Sequence, residues 1–261
     1  MSGGARPRRR VLVTGGRRGI GRAIAYAFAE AGYDVVVNDL VEDEAGRETV
    51  AGIAARGTSG HLLAGDIADL AGHEALVQAA FAAFGGLEVL VNNAGIQVAK
   101  RGDMLEVTPE SYDRLMSVNL RGPFFLTQAV ARRWLAEPAP AQPRRAIINL
   151  ASANAFMASI NRADYCLSKS GVSMMTKLYA TRLAEAAIDV FEIRPGVIRT
   201  DMTAPVAERY ERQIADGLTP VRRWGEPEDV ARAAVALASG AFGFSTGEAV
   251  HVDGGLHIAR L

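Results

Sequence analysis

At residues 14–21 the chain reads Thr14-Gly15-Gly16-Arg17-Arg18-Gly19-Ile20-Gly21, between an apolar run at 11–13 and a helical pattern over 20–31. A strand, a glycine-rich turn and a helix in this order begin a dinucleotide-binding unit. Glycines let backbone amides approach a pyrophosphate, which also faces the positive end of the helix dipole. The spacing is G-x-x-x-G-x-G, and Arg22 follows it where a P-loop would have lysine. We predict phosphate contacts from Gly15, Arg17, Arg18, Gly19, Ile20 and Gly21; a tight turn without a ligand is the alternative.

The alternation of apolar runs and helical patterns continues along the chain. Further strands are predicted at 34–38, 61–64, 89–91, 146–150, 190–193 and 249–252, and further helices at 42–56, 70–84, 109–136, 163–187 and 227–238. Buried strands separated by helices indicate a parallel sheet covered on both faces. We therefore predict an α/β fold, a Rossmann-like doubly wound parallel sheet in three layers (α/β/α). It forms a single domain over 10–261, after a flexible tail at 1–9 and with a Pro-rich surface loop at 137–143.

Composition excludes several classes of protein. Lys and Arg together number 29, as do Asp and Glu, so the balanced charge argues against nucleic-acid binding. The single cysteine, Cys166, excludes an internal disulfide. No apolar run predicts a signal peptide or a membrane span, and a cytoplasmic location is the resulting expectation. The histidines are scattered along the sequence without ligand spacing, so no metal site is predicted.

Asp39 ends the second predicted strand, roughly 20 residues after the glycine turn, where an acid can bind both ribose hydroxyls. Its carboxylate would repel a 2′-phosphate and favours NAD, whereas Arg17 or Arg18 could pair with that phosphate and favours NADP. We expect NAD, with NADP not excluded. Asp66, after the third strand, can accept from the adenine amino group, or can simply cap a turn.

Tyr165 and Lys169 lie at i and i+4 on a predicted helix and so share a face. A tyrosine has a pKa near 10, and we expect the Lys169 ammonium and the nicotinamide ring to lower it, so that Tyr165 exchanges a proton with the substrate oxygen. Ser152, after a strand, can donate a hydrogen bond to that oxygen. Asn119, unfavourable inside a helix, can hold a water near Lys169.

These features stand in a fixed order. After the glycine turn come Asn92-Asn93-Ala94-Gly95, Asn119, Ser152, Tyr165-Cys166-Leu167-Ser168-Lys169, Pro195-Gly196-Val197-Ile198-Arg199-Thr200-Asp201-Met202 and Val252-Asp253-Gly254-Gly255. From Arg10 to the C-terminus the chain resembles the short-chain dehydrogenase/reductase family, most of all its 3-oxoacyl-[acyl-carrier-protein] reductase branch. The resemblance implies a catalytic tetrad of Ser152, Tyr165, Lys169 and Asn119. It implies that Ile198 and Thr200 contact the nicotinamide carboxamide and that the backbone near Asn92 and Ala94 contacts the adenosine half. Further predicted cofactor contacts are Asp66, Ile67, Gly95, Tyr165, Lys169, Pro195 and Gly196.

The resemblance implies a reaction between a ketone and a secondary alcohol with a small-molecule substrate. Reductases of that branch generally use NADPH and often lack an acid at the place of Asp39; the stretches 97–102 and 137–143 also depart from their pattern. A sugar or polyol dehydrogenase is therefore the alternative enzyme, and a non-catalytic dinucleotide sensor is the alternative from another class. The resemblance also implies a homodimer or homotetramer formed through the helices at 109–136 and 163–187. Residues 202–217 are predicted to form either a mobile lid over the substrate, as the resemblance suggests, or a plain surface helix.

Overall fold

The computed structural model describes residues 8–138 and 144–260. Its strands form one parallel, seven-stranded sheet in the order β3-β2-β1-β4-β5-β6-β7. The strands are β1 (Arg10–Thr14), β2 (Asp34–Asp39), β3 (Gly60–Ala64), β4 (Val89–Asn92), β5 (Arg145–Leu150), β6 (Ile188–Pro195) and β7 (Ala249–Val252). The strand order reverses direction between β1 and β4, and in such sheets ligands bind at the carboxyl ends beside this point.

Helices cover both faces of the sheet. They are α1 (Gly19–Glu30), α2 (Glu44–Ala54), α3 (His73–Phe84), α4 (Pro109–Met116), α5 (Gly122–Ala136), α6 (Ala163–Leu183), α7 (Ala207–Ala215) and α8 (Pro227–Ala238). Alternate residues of each strand point to opposite faces. Val11 and Val13 accordingly join the core under α1 and α8, whereas Leu12 joins the core under α3, α5 and α6. The predicted three-layer doubly wound fold is confirmed.

The helix predicted over 109–136 is interrupted. α4 ends at Met116, Ser117–Arg121 form a π-helical turn, and α5 begins at Gly122. Pro123 stands in the first turn of α5, where its missing N–H costs nothing. A π turn inside a helix is rare and is often found at functional sites.

The two predicted irregular segments lie mainly outside the described residues, the tail over 1–7 and the Pro-rich loop over 139–143. Arg9, predicted to be part of the flexible tail, is fixed: its guanidinium donates to Tyr33 Oη and to the carbonyls of Ala238 and Arg144. Within residues 8–138 and 144–260, no helix combines the length and the apolar character that a membrane span requires.

Candidate active site

A cleft of about 900 Å³ lies at the carboxyl ends of β1, β2, β4, β5 and β6. The residues predicted to contact a dinucleotide that line it are Gly15, Arg17, Arg18, Gly19, Ile20, Gly21, Asp39, Asp66, Ile67, Ala94, Gly95, Tyr165, Lys169, Pro195, Gly196, Ile198 and Thr200. Ser152 lines it too. Residues from strands far apart in sequence therefore meet in one cleft, which has the size that a dinucleotide and a small substrate together require.

The glycine turn is shaped by close approach of backbone to backbone. Gly15 has a φ of +63°, and a Cβ there would lie 2.8 Å from Ala94 Cα. A Cβ on Gly21 would collide with the Gly15 carbonyl. Asn93 fastens the turn, because its Nδ2 donates to the carbonyls of Thr14 and Gly15 at 2.9 and 3.0 Å. The motif Asn92-Asn93-Ala94-Gly95 does not by itself predict this contact of Asn93 across the sheet.

The N-terminus of α1 opens onto this turn without a cap from the protein. Arg18 at the N-cap position makes no side-chain capping bond, and the first turn of α1 contains no acid. By contrast, Asp43 caps α2 through Gly46 N, and Thr108 caps α4 through Ser111 N. Free N–H groups at a helix N-terminus bind anions, so α1 fits a pyrophosphate.

Asp39 is tied to the glycine turn. Its Oδ2 accepts from the backbone N–H of Arg17 at 3.2 Å, and its Oδ1 lies 3.2 Å from Arg17 Nε and accepts from Leu40 N at 2.9 Å. Arg17 also pairs with Asp43. The charge of Arg17 is thus shared between two carboxylates, and this end of the cleft is acidic. Arg18 is more loosely placed, with an exposed guanidinium 3.8 Å from Asp201.

Of the remaining residues predicted for the adenosine half, Asp66 and Ile67 line the cleft and Asn92 does not. Asp66 lies exposed at the rim, where its Oδ1 accepts from Ala68 N at 2.8 Å, and Ile67 is buried against the cleft. Asn92 is not among the lining residues: its buried Nδ2 donates to Thr127 Oγ1 and Asn149 Oδ1, both at 2.8 Å. As the last residue of β4, Asn92 directs its side chain beneath the sheet, which a prediction by motif does not reveal.

Tyr165, Ser152 and Lys169 meet at the other end of the cleft. Lys169 Nζ lies 5.8 Å from the centre of the Tyr165 ring and donates to the Leu150 carbonyl at 2.9 Å. Ser152 follows β5 and its Oγ accepts from Asn154 N at 3.1 Å. All three side chains are buried, although they line the cleft. Hydroxyl, phenol and amine therefore form one buried polar group beside the carboxyl ends of β5 and β6.

Burial controls the ionisation of this group. It raises the pKa of the Tyr165 phenol, and a hydrogen bond with Ser152 and the charge of Arg162 offset only part of the rise. Burial also lowers the pKa of Lys169 to about 8, against an upward effect of Glu192. Among the protein's own groups, desolvation outweighs the nearby charges, so Lys169 alone does not lower the pKa of Tyr165 as predicted. The predicted lowering by the nicotinamide ring stays a prediction. The phenol keeps its proton at neutral pH, which suits a proton donor.

Asn119 is buried in the π turn behind this group. Its Oδ1 accepts from Ile96 N at 2.8 Å, and its Nδ2 donates to Ile96 O at 3.0 Å and to Ser168 Oγ at 3.1 Å. Both amide hydrogens are thus bound by protein groups, and the side chain joins the loop after β4 to α6. Its holding of a water near Lys169 stays a prediction. A Cβ on Gly95 would lie 3.2 Å from Asn119 Oδ1 and 3.4 Å from Lys169 Nζ. The Asn119 and Lys169 side chains therefore both pack against the backbone of Gly95.

The loop after β6 forms the remaining wall. Thr203 Oγ1 donates to the Ile198 carbonyl at 2.8 Å and fixes the turn that holds Thr200. The segment 202–217 contains α7, whose Tyr210 and Gln213 line the cleft. The Tyr210 ring packs edge-on against Trp224 at 5.9 Å. A helix was one of the two predictions for this segment; its mobility stays a prediction.

Two of the histidines that are scattered in sequence come together at the C-terminal turn. The rings of His251 and His257 stack at 4.0 Å, and His257 Nδ1 lies 2.9 Å from Asp253 Oδ2. Asp253 also accepts from the backbone N–H groups of Gly255 and His257 at 2.9 and 3.0 Å. The cluster therefore closes this turn, a grouping that the sequence spacing did not predict.

Comparison with known proteins identifies the family. Residues 15–257 match the family model described as enoyl-(acyl carrier protein) reductase. The chain is 37% identical over 246 residues to the 2-dehydro-3-deoxy-D-gluconate 5-dehydrogenase of Dickeya dadantii, covering 94% of this chain and 93% of that protein. The chain belongs to the short-chain dehydrogenase/reductase family.

Solved structures agree. A 3-oxoacyl-[acyl-carrier protein] reductase from Brucella melitensis, in complex with NAD, has a TM-score of 0.94 and 48% identity over 98% of this chain and 100% of its own. A gluconate 5-dehydrogenase from Burkholderia cenocepacia, in complex with NADP and tartrate, has a TM-score of 0.88 and 33% identity over 97% of this chain and 96% of its own. The predicted family, fold and oxidoreductase class are confirmed.

Proposed function

We propose that the protein is an NAD-dependent oxidoreductase that interconverts a ketone and a secondary alcohol. The convergence of Tyr165, Ser152 and Lys169 on the cleft that holds the glycine turn carries this proposal. A dinucleotide sensor needs the turn but has no use for a buried lysine beside a buried phenol, since both cost desolvation. Their presence favours an enzyme over the sensor.

Each residue has a distinct task in this proposal. Bound NADH supplies a hydride, with its two electrons, to the carbonyl carbon. The Tyr165 hydroxyl gives its proton to the carbonyl oxygen, so that C=O becomes CH–OH, and solvent restores the proton to the phenol. Ser152 donates a hydrogen bond to the same oxygen as charge develops there. Lys169 favours the phenolate left behind, and Asn119 positions the loop at Ile96.

We propose NAD as the preferred cofactor because of the acid at the end of β2. The Asp39 carboxylate lies where the ribose hydroxyls of an adenosine would be bound, and the structure pairs Arg17 with Asp39 and Asp43. A 2′-phosphate would meet the carboxylate and would have to compete for the arginine. Relatives with NAD and with NADP both occur, so this preference belongs to the residues of this chain.

The substrate is proposed as a ketone or secondary alcohol, either a 3-oxoacyl thioester or a sugar or polyol derivative, as the names of the relatives suggest. The test is a panel of 3-oxoacyl thioesters, simple ketones and polyols, each with NADH or NADPH in the reducing direction and the oxidised forms in the other. We expect turnover of at least one class with a preference for NAD(H). Dinucleotide binding with no turnover in the whole panel would support the sensor instead.

We further propose a homodimer or homotetramer. Leu167, Met174 and Leu178 lie exposed at i, i+7 and i+11 on α6, and Phe125 is exposed on α5. Such an apolar stripe at helical spacing is typical of a face covered by another helix. Light scattering after gel filtration should give two or four times the mass of one chain; a monomer would refute the assembly. The cytoplasmic location stays a prediction.

A further inference from the structure

Two arginines on adjoining loops, Arg162 and Arg101, line the cleft and are not used by the proposed chemistry; Arg114 of α4 also lines the cleft. Arg162 lines the cleft three residues before Tyr165, and its guanidinium carbon lies 5.7 Å from the centre of the Tyr165 ring. Arg101 lines the same cleft from the loop after β4. The backbone of Gly102 donates to the Asn161 carbonyl at 3.3 Å, so the two loops are joined by residues directly adjacent to both arginines.

Neither guanidinium is neutralised by the described part of the chain. Arg162 Nε donates to Ser159 Oγ at 3.3 Å, and its other two nitrogens have no partner within residues 8–138 and 144–260. Arg101 forms no ion pair or side-chain hydrogen bond with those residues. Two acids nearby are engaged locally: Asp103 accepts from Leu105 N, and buried Asp164 accepts from Ser111 Oγ and Tyr165 N. The Glu106 carboxylate lies near Gly102 but forms no ion pair with either arginine within the described residues. Elsewhere in the cleft, Arg17 is paired twice.

A third polar group faces the same space. The Oε1 atom of Gln97 is buried, lacks a hydrogen-bond partner among the described residues, and belongs to a residue that lines the cleft. A buried amide group without a partner is costly unless a ligand satisfies it. A hydrocarbon acyl chain offers it nothing, whereas a substrate hydroxyl does.

We infer that the substrate is a hydroxy- or oxo-carboxylate, whose carboxylate is bound by Arg162 and Arg101 while its reacting carbon lies at Tyr165. A guanidinium binds a carboxylate through two parallel hydrogen bonds, which fixes orientation as well as adding affinity. Because Arg162 is so near the phenol, the charged group must be only a few bonds from the reacting carbon. The phosphodiester of a carrier-protein arm lies much farther from the carbonyl of its thioester and does not meet this condition.

This inference rests on the proposed function and is tested with matched substrate pairs. Gluconate and sorbitol differ in a carboxylate against a CH₂OH group and are compared in oxidation. Acetoacetate and its methyl ester differ in the charge of the carboxylate and one methyl group, and are compared in reduction. Wild-type kcat/KM should favour the acid of a pair by about 10- to 100-fold, the typical effect of a charge-assisted hydrogen bond. The Arg162→Gln and Arg101→Gln variants should lose most of that preference, and Arg162→Lys should keep part of it.

Arg47→Gln is the matched control, since Arg47 is exposed on α2 and, among the residues that the structure describes, pairs only with Glu44. It should leave the preference unchanged. If Arg162→Gln slows acid and neutral substrate equally, Arg162 acts through the Tyr165 phenol, and the inference is wrong. Equal wild-type kcat/KM for the acid and the neutral member of each pair would also contradict the inferred carboxylate site. Dihydroxyacetone phosphate against dihydroxyacetone forms a third pair, and a larger preference there would assign the arginines to phosphate instead.

Binding separates this inference from the proposed function. Calorimetry on Tyr165→Phe saturated with NADH measures the affinity for gluconate and for sorbitol without turnover. Tighter binding of gluconate, lost in the double variant with Arg162→Gln, supports the carboxylate site whatever the turnover assays give. Equal affinity refutes the site, yet turnover of neutral ketones would leave the proposed oxidoreductase standing.

Discussion

The two ends of the cleft handle charge in opposite ways. At the adenosine end Asp39, Asp43 and Arg17 satisfy one another, so the side chains are already paired before any ligand arrives. At the reacting end Arg101 and Arg162 have no carboxylate partner in the described chain, and Lys169 is buried beside an uncharged phenol. In the proposed function, the first arrangement would select the cofactor by excluding an extra phosphate. In the inferred carboxylate site, the second would select the substrate by attracting an anion.

The difference also concerns energy. Paired charges at a rim cost little, because solvent and partner both stabilise them. Burial removes the Lys169 ammonium from water, which costs free energy and lowers its pKa. Groups with such perturbed pKa values cluster at functional sites. The reacting end should therefore respond to substitution with large losses of rate. The adenosine end should respond with shifts in selectivity.

The largest effect is expected for Tyr165→Phe. Removing the hydroxyl deletes the proposed proton donor, and kcat for ketone reduction should fall by about 10²–10⁴-fold. NADH affinity, measured by fluorescence titration, should change less than about twofold, because the phenyl ring keeps the packing. Tyr112→Phe, on the exposed face of α4, serves as control and should retain activity. Retained turnover in Tyr165→Phe would remove the phenol from the mechanism.

At the other end, Asp39→Ser should change cofactor choice. Without the carboxylate, Arg17 keeps only Asp43 as an acidic partner and becomes available to a 2′-phosphate. We expect the ratio of kcat/KM for NADPH to that for NADH to rise by roughly 10- to 100-fold, the size of one charge-assisted contact. Asp113→Asn, on the outer surface of α4, should leave the ratio unchanged. An unaltered ratio in Asp39→Ser would show that the acid does not select the cofactor.

Much of both ends could be predicted from local patterns. The glycine turn is specified by strand, turn and helix in succession, and Tyr165 with Lys169 by their spacing along one helix. Asp39 follows from its place at the end of a strand. These predictions hold because sequence neighbours determine the geometry. The pairing of Arg17 with Asp39 and Asp43, which decides how the acids act, spans the gap between α1 and β2 and has no local signal.

The remaining features depend on contacts that sequence distance hides. Asn119 lies in a π turn, and its amide binds both backbone groups of Ile96, a residue on another loop. Asn93, not Asn92, faces the glycine turn, since the strand ends between them. The sequence does show Arg162 as a cation about one helical turn before Tyr165. That it lacks a partner is visible only when the loops around it are placed.

Lys169→Met should separate stability from activity. In the folded protein the pKa of Lys169 is lowered to about 8, so the unfolded chain holds this proton more tightly. Burying the charge therefore reduces stability below about pH 8. The variant removes that cost and loses one hydrogen bond to Leu150, for a net gain of about 1–3 kcal/mol at pH 7. Denaturant unfolding at fixed protein concentration measures it, and ketone reduction should be strongly impaired.

The pH dependence provides the control for this variant. Because the unfolded state binds more protons between about pH 8 and the ordinary lysine pKa near 10.4, wild-type stability should rise relative to Lys169→Met across that interval. The advantage of the variant should shrink towards pH 10. A difference that is constant from pH 7 to pH 10 would mean that the lysine is equally protonated in both states.

The smallest effect belongs to Asp43→Asn, which sharpens the contrast between the two ends. Asparagine keeps the cap on α2, where Asp43 accepts from Gly46 N at 3.0 Å, and removes only the charge facing Arg17. Since Asp39 still pairs with Arg17, KM for NADPH should fall only a few-fold, and the change should fade as salt screens the exposed charges. Steady-state kinetics at low and high ionic strength measures it. An effect as large as that of Asp39→Ser would mean that the two acids hold Arg17 equally, and that cofactor choice resides in the whole cluster instead of in one carboxylate.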